Sequence, residues 1–168
     1  MISPKLSLQK IAMKIETGSI APEFILYNSE KNKVSLSDYK GKHVLLLFFP
    51  LAFTGTCTKE LCGVRDNISQ YNNSNAEVLA ISVDSLYTLA KYKEEQHLNF
   101  QLLSDFNKEV SEMYGSLYPL FGFEMRGVSK RSSFVIDKEG VVRYAEVLEN
   151  ASEIPNFEAI QKILSQGN

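Results

Sequence analysis

Cysteine and histidine are scarce in this sequence, and tryptophan is absent. The 168 residues include two cysteines, Cys57 and Cys62, and two histidines, His43 and His97. A structural zinc site would need all four of these side chains to converge over long stretches of chain. We therefore expect no metal site. In an intracellular chain of this size, a pair of cysteines is more often reactive or buried than a structural disulfide.

Long apolar runs and blocks of like charge are missing as well. The longest apolar run, around residues 44–49, is far shorter than the roughly 20 residues that span a bilayer. Lysine and arginine number 18 against 20 acidic residues, and no strongly basic patch stands out. The N-terminal residues contain no continuous apolar core of a signal peptide. We therefore expect neither a membrane protein nor a nucleic-acid-binding protein, and a cytoplasmic location.

The length and the hydrophobic content of 44% suit one domain with a substantial core. Residues 1–14 are expected to be a loosely attached N-terminal extension, and residues 15–168 to form the domain. No repeat or low-complexity segment divides it. The glycines are too scattered for a phosphate-binding loop.

The order of the apolar segments predicts an α/β fold. Residues 24–27 and 33–36 predict an N-terminal β-hairpin. Strands at 45–49 and 78–83 flank a helix and should pair in parallel. The remaining predictions begin with a helix from Asp84 or Ser85 to Glu95, a strand at 100–103, and a short helix from Asp105 with Phe106, Val110 and Met113 on one side. They continue with a loop at 116–130, a hairpin from 133–136 and 141–146, and a last helix with Pro155 in its first turn. Together these segments predict a central mixed sheet flanked by helices.

The stretch from residue 45 to residue 65, LLLFFPLAFTGTCTKELCGVR, places a cysteine where a buried strand gives way to a helix. Pro50 ends the strand, and one face of the predicted helix carries apolar residues at helical spacing from Cys57 to Tyr71. With Thr54 or Thr56 as the N-cap, Cys57 lies in the first turn, where free amide groups and the helix dipole favour a thiolate. These residues alone leave Cys57 either a nucleophile or a small buried apolar side chain.

The spacing Pro50-x-x-x-Thr54-x-x-Cys57 resembles the active-site signature of the peroxiredoxins. Three further segments, residues 18–24, 36–42 and 131–137, are similar to segments of that family in the same order. The run PLAFTGTCTKEL is most similar to the BCP/peroxiredoxin Q and AhpE-type subgroups. The resemblance covers most of the chain. It implies a thioredoxin-like fold, reduction of hydroperoxides at Cys57, and no bound cofactor.

The resemblance also implies a role for five residues. Cys57 would be the peroxidatic nucleophile, Thr54 would orient the peroxide, and Arg131 would hold its guanidinium over the thiolate. Pro50 would keep water from the sulfur, and Glu60 would orient Arg131. These roles suit the chemistry, because a guanidinium stays charged and stabilises negative charge on a departing oxygen. Without the resemblance, Arg131 reads as a surface charge, Glu60 as a partner in a helix pair, and Thr54 as a cap.

Cys62 occupies the position of the resolving cysteine in BCP-like peroxiredoxins. Five residues along an intact helix separate the Cα atoms by roughly 8 to 9 Å, beyond the limit of about 7 Å for a disulfide. A Cys57–Cys62 disulfide therefore requires the helix to unwind, and Gly63 makes this easier because glycine weakens a helix interior. The alternative is an inert Cys62 and a one-cysteine cycle that an external thiol resolves.

Three other functions are weighed against that of a peroxiredoxin. A thioredoxin-type exchange enzyme would need Cys-x-x-Cys and a proline at Ser132, and a glutathione-peroxidase-like enzyme would need a tryptophan. A non-catalytic redox sensor or chaperone-like protein remains an alternative.

For the peroxidase, we expect thioredoxin or a similar dithiol protein as the reductant. The aromatic residues at 118–123 could bury themselves in a homodimer.

Overall fold

The computed structural model describes residues 14–167. The predicted N-terminal extension, except Lys14, lies outside the described residues. The described residues form a seven-stranded mixed sheet, a separate two-stranded sheet and five α-helices. The strands are β1 (Ile25–Asn28), β2 (Lys33–Ser35), β3 (His43–Phe48), β4 (Ala76–Ser82), β5 (Gln101–Ser104), β6 (Leu117–Phe121), β7 (Met125–Ser129), β8 (Ser132–Ile136) and β9 (Val142–Val147). The helices are α1 (Gly55–Asp66), α2 (Ile68–Asn73), α3 (Leu86–Glu95), α4 (Glu109–Met113) and α5 (Phe157–Gln166).

The large sheet has the strand order β2-β1-β5-β4-β3-β8-β9. Strand β4 pairs in parallel with β3 and with β5, which confirms the predicted strand-helix-strand unit. The remaining pairs are antiparallel and include the two predicted hairpins, β1 with β2 and β8 with β9. The predicted α/β class and the mixed sheet flanked by helices are therefore confirmed.

The central strand β3 is buried on both faces because its side chains alternate between two cores. Leu45 and Leu47 face a core that includes side chains of α1, α2, α3 and α5. Val44, Leu46 and Phe48 face a second core, which includes side chains of α4 and of the segment before β1. Since successive side chains of a strand point to opposite faces, an unbroken apolar run is the pattern that a doubly covered strand requires.

The helix predicted to run from Cys57 to Tyr71 is divided in the structure. Helix α1 ends at Asp66, and α2 begins at Ile68. Asn67, between them, has φ −110° and ψ 18°, and its side-chain amide donates to the carbonyl of Gly63 at 2.8 Å. Asparagine side chains compete with the backbone ladder in this way. Leu61, Val64 and Tyr71 are nevertheless buried, as the spacing predicted.

The helix predicted to start at Asp105 starts four residues later, at Glu109. Lys108 precedes it in the left-handed conformation, with φ 66°. The carboxylate of Asp105 accepts the backbone N–H groups of Val110 and Ser111 at 3.1 and 2.6 Å, so it caps the helix from a distance along the chain. Phe106 lies before the helix and is 61% exposed, so its predicted place on one helix face with Val110 and Met113 is wrong.

Residues 116–130, predicted to be a loop, form the hairpin of β6 and β7. Most side chains of β6 are only partly buried or exposed, so the segment lacks the apolar alternation by which a strand is recognised in a sequence. The turn contains Phe123 and Glu124, both with positive φ. Strand β6 is therefore held mainly by its backbone pairing with β7, whose last three residues are buried.

Helices α3 and α5 each begin after a polar residue whose side chain caps the first turn. Ser85 caps α3 by accepting the N–H of Thr88 at 3.1 Å, as predicted. Asn156 caps α5, which begins at Phe157, so Pro155 precedes the helix and does not lie in its first turn. Within residues 14–167, no helix is long and apolar enough to cross a membrane.

We predict that Phe134→Ala lowers the free energy of unfolding by about 3–5 kcal/mol. Phe134 is fully buried, and its ring contacts Phe48 and Tyr114 at centroid distances of 6.0 and 5.3 Å. Denaturant unfolding measures the change. The matched control is Phe106→Ala, which should stay within about 0.5 kcal/mol of wild type because its ring is mostly exposed. Equal losses in the two variants would contradict this assignment of the core.

Candidate active site

Cys57 lies at the junction where the central strand passes into α1. Strand β3 ends at Phe48, the buried Pro50 follows, and α1 begins at Gly55 with Thr54 in the N-cap position. Cys57 is thus the third residue of α1, in the first turn, where backbone N–H groups lack acceptors within the helix. Its side chain is only 1% exposed.

Arg131 reaches this junction from a distant part of the chain. Strand β8 runs antiparallel to β3, with Ser132 beside Phe48, so Arg131 lies at the edge of the sheet from which α1 departs. Both terminal nitrogens of its guanidinium are 3.4 Å from the sulfur of Cys57. Arg131 is as deeply buried as Cys57. The structure therefore places a buried cation against the cysteine sulfur.

Glu60 completes a buried charged cluster. Its Oε2 accepts Nη1 of Arg131 at 2.5 Å, and its side chain is fully buried. Glu60 follows Cys57 by three residues on α1, so the two side chains lie on the same face of the helix. Burial raises the pKa of Glu60 to about 7, although Arg131 lowers it. Removal of the guanidinium would therefore leave a carboxylate that is very costly to ionise.

The guanidinium of Arg131 is held by a further contact that the sequence did not indicate. Its Nη2 donates to the carbonyl of Ala151 at 2.9 Å, in the loop after β9. Burial lowers the pKa of Arg131, but Glu60 and Cys57 outweigh it and raise the pKa above its ordinary value. Arg131 is therefore a permanent cation in this structure.

Thr54 occupies the N-cap position but does not cap the helix with its side chain. Its hydroxyl donates to the carbonyl of Leu51 at 2.7 Å, and it accepts no N–H from the first turn. Among the described residues, the N–H of Cys57 also has no acceptor. Thr54 as a residue is exposed. An acceptor oxygen and a donor amide therefore remain available beside the buried sulfur.

An aromatic wall on the α3 side of the site was also not predicted. The hydroxyl groups of Thr58 and Tyr92 are 2.9 Å apart, and Phe53 packs on the Tyr92 ring at a centroid distance of 5.0 Å. Phe53 has φ 63° and is half exposed. Burial raises the pKa of Tyr92 to about 12, so its hydroxyl stays protonated at neutral pH. No pattern in the sequence links residues so far apart.

Cys62 lies on the same helix as Cys57 but apart from the charged cluster. Its sulfur is 3.6 Å from Oε1 of Gln96, at the end of α3. Both cysteines are free thiols, and α1 runs through both of them. Cys62 also lines a groove of about 660 Å³ between α1 and α5, with Phe157 and Gln161. The structure thus unites Cys57, Glu60 and Arg131, and leaves Cys62 outside.

The fold and the buried cysteine–arginine–glutamate cluster define a thioredoxin-like protein with a single buried thiol in its site. The pattern of the AhpC/TSA family matches residues 17–145. The chain is 43% identical to the bcp peroxiredoxin of Coxiella burnetii over 132 residues, covering 77% of this chain and 87% of that protein. It is 40% identical to alkyl hydroperoxide reductase E of Mycobacterium tuberculosis over 136 residues, covering 79% and 86%. The chain belongs to the AhpC/TSA family and is of the BCP/AhpE type of peroxiredoxin.

Solved structures agree with this assignment. The crystal structure of peroxidoxin BcpB from Mycobacterium tuberculosis superposes with a TM-score of 0.82 at 27% sequence identity. The match covers 92% of this chain and 99% of that one. The thioredoxin-like fold and the family predicted from the sequence are therefore confirmed.

We predict that Arg131→Gln destabilises the protein by about 3–5 kcal/mol near pH 8, because the substitution leaves an ionised Glu60 buried without its cation. The double variant Arg131→Gln, Glu60→Gln should recover most of this loss. The free energy of unfolding of the single variant should lie only slightly below that of the double variant near pH 5, and the difference should grow towards pH 8. Denaturant unfolding at both pH values measures it.

The sign follows from linkage, because the folded-state pKa of Glu60 is raised from 4.5 to about 7 even with Arg131 present. A carboxyl group of this kind adds stability below its unfolded pKa, and that stability is lost as the pH rises through the folded pKa. Comparison with the double variant cancels the other titrating groups. A difference in stability that does not depend on pH would show that the loss of Arg131 does not make the ionisation of Glu60 more costly.

Proposed function

We propose that this peroxiredoxin reduces hydrogen peroxide and organic hydroperoxides, with Cys57 as the nucleophile. Peroxidase activity follows from membership of the family; the assignment of roles to individual residues is our proposal. The single observation that carries it is the pair of contacts from the buried Arg131 guanidinium to the Cys57 sulfur. A cation at this distance favours the thiolate, which is the reactive form of cysteine.

In the proposed first step, the Cys57 thiolate attacks the terminal oxygen of the hydroperoxide. An S–O bond forms and the O–O bond breaks, so the sulfur is oxidised to sulfenic acid and the peroxide is reduced. The transferred oxygen keeps its hydrogen. The bonding electron pair leaves with the second oxygen, which takes a proton from solvent and departs as an alcohol, or as water when the substrate is hydrogen peroxide.

The surroundings of Cys57 supply what this step needs. Arg131 stabilises the thiolate and the negative charge that moves onto the departing oxygen. Thr54 offers a hydroxyl oxygen and Cys57 a backbone N–H to orient the peroxide. The buried Pro50 limits the access of water from the strand side. Glu60 holds the guanidinium in place through Nη1, the nitrogen that also contacts the Cys57 sulfur.

For the second step, we propose that Cys62 attacks the sulfenic acid, forms a Cys57–Cys62 disulfide and releases water. The two thiols are five residues apart on α1, so the first turns of this helix must unwind. Thioredoxin or a similar dithiol protein would then reduce the disulfide and restore both thiols. Gly63 supports this proposal, because it weakens the helix next to Cys62.

One observation favours a second candidate, a one-cysteine cycle. Cys62 lies against Gln96 and away from the charged cluster, within a helix that is intact in the structure. In that cycle an external thiol, and not Cys62, would attack the sulfenic acid. A redox sensor that is oxidised at Cys57 without turnover is the remaining alternative.

A reducing compartment suits either cycle. Both cysteines are free thiols in the structure, and thioredoxin systems keep such thiols reduced in the cytosol. We therefore propose a cytoplasmic location.

We predict that Cys57→Ser lowers peroxide consumption by roughly 10³-fold or more, since it removes the nucleophile. The assay follows NADPH oxidation with thioredoxin, thioredoxin reductase and hydrogen peroxide. Cys62→Ser is the matched control, with the same substitution on the same helix. It should keep the first reaction with peroxide and lose turnover that thioredoxin supports.

Mass spectrometry of peroxide-treated protein separates the two cycles. A Cys57–Cys62 disulfide supports resolution by Cys62. A persistent sulfenic acid in wild-type protein, with turnover restored by a small external thiol, supports the one-cysteine cycle. If Cys57→Ser retained full activity, the proposed nucleophile would be wrong.

We also propose a homodimer through the hairpin of β6 and β7. Its tip carries Leu120, which is 62% exposed, and Phe123, which is 99% exposed. Exposed apolar side chains grouped in this way are typical of interaction surfaces. We predict that Phe123→Asp shifts the protein towards the monomer in sedimentation velocity measured over a range of concentrations. A wild-type protein that is monomeric at every concentration would contradict the proposal.

A further inference from the structure

Asp84 lies two residues after the end of β4, at the edge of the sheet where the active-site loop begins. Strands β3 and β4 are parallel, with Phe48 beside Ile81, so the chain leaves both strands on the same side. Oδ2 of Asp84 accepts the N–H of Ala52 at 2.8 Å and the hydroxyl of Ser82 at 2.7 Å. The carboxylate therefore binds the loop that carries the proposed site residues.

Asp84 is itself anchored from a third strand. Its backbone carbonyl accepts the hydroxyl of Ser104, the last residue of β5, at 2.6 Å. Its backbone N–H donates to the hydroxyl of Ser82, which is fully buried. The position of the carboxylate is thus fixed by the sheet and not by the loop that it holds.

The amide that Asp84 holds and the carbonyl that Thr54 contacts belong to one peptide unit. The N–H of Ala52 and the C=O of Leu51 lie in the same plane. Asp84 binds the N–H end, and Thr54 donates its hydroxyl to the C=O end. An anion at the N–H end fixes the plane and polarises the carbonyl, which strengthens its bond with Thr54.

This bond decides which way the Thr54 hydroxyl faces. A carbonyl oxygen can only accept, so the hydroxyl proton of Thr54 is committed to Leu51, and the oxygen keeps lone pairs with which to accept. An ordinary threonine N-cap accepts an N–H of the second or third helical residue. Cys57 is the third residue here, yet the bond is absent. One acceptor and one donor thus remain for a hydroperoxide, which has an O–H group and oxygen lone pairs.

We propose that Asp84 is a positioning residue for peroxide, which acts through the Leu51–Ala52 peptide and Thr54. It keeps the Thr54 hydroxyl turned towards Leu51, so that the Thr54 oxygen accepts the O–H of the peroxide and does not cap α1. The inference rests on the proposed reaction at Cys57. Nothing in it requires Asp84 to touch the substrate.

The test is a double-mutant cycle on the rate constant for hydrogen peroxide, measured by competition with a reference peroxidase. Asp84→Ala and Thr54→Val should each lower the rate constant about tenfold or more, the order expected for loss of a hydrogen bond to a charged group. In the Thr54→Val background, Asp84→Ala should cost less than about twofold, since the residue through which it acts is already gone.

Asp84→Asn keeps an acceptor oxygen for Ala52 and Ser82 without the charge, so it should lose less of the rate than Asp84→Ala, and it guards against a failure of Asp84→Ala to fold. Ser85→Ala, which removes the neighbouring cap of α3, is the matched control and should react like wild type. Alkylation of Cys57 by iodoacetamide, which needs the thiolate but not an oriented peroxide, should change less than about twofold in Asp84→Ala.

The outcomes separate this inference from the function on which it rests. If wild-type protein reacts with peroxide and Asp84→Ala reacts equally fast, the positioning role is wrong and the peroxidase function stands. Equal losses from Asp84→Ala with and without Thr54 would also overturn the role, because a general loosening of the loop gives additive effects. If wild-type protein does not react, the proposed function fails and the inference fails with it.

Discussion

The burial of one guanidinium is the constraint on which the rest of the site depends. Arg131 is almost wholly removed from water, and a buried cation is tolerated only where anions and carbonyl oxygens replace its hydration. The three groups that do so come from α1, through Cys57 and Glu60, and from the loop after β9, through Ala151. Among the described residues, Nε of Arg131 has no partner, so these elements cannot shift independently without leaving a further donor of Arg131 unmatched. The proposed nucleophile is thus held by the same contacts that make the buried charge acceptable.

Sheet topology brings these groups together. Helix α1 follows β3 along the chain, so its start lies at the carboxyl edge of that strand. Strand β8 runs in the opposite direction beside β3, so the beginning of β8, next to Arg131, reaches the same edge. The parallel neighbour β4 delivers Asp84 there as well. Residues separated by up to 74 positions therefore meet at one edge, as is usual for binding sites of α/β sheets.

How much of this could be read from the sequence differs from residue to residue. The buried strand and the cysteine at the start of a helix follow from local patterns, because periodicity and turn residues are local properties. The position of Arg131 required the family resemblance, since antiparallel pairing of β8 with β3 leaves no mark near residue 131. Asp84 was read only as a possible helix cap, because its bond to Ala52 depends on strand order. The hairpin of β6 and β7 was missed because no residue of β6 is buried, so this strand lacks the apolar alternation of a half-buried strand.

Helix α1 serves the two proposed steps in opposite ways. Its first turn, Gly-Thr-Cys-Thr, contains poor helix formers, so tertiary contacts such as those of Cys57 and Glu60 with Arg131 must stabilise it. An intact turn keeps the sulfur beside the guanidinium for the reaction with peroxide, but the same turn separates Cys57 from Cys62. Oxidation adds an oxygen to a sulfur that is 1% exposed and packed against Arg131, so the contacts that stabilise the turn cannot all persist. In the proposed cycle, the first reaction would therefore weaken the helix that resolution by Cys62 requires to open.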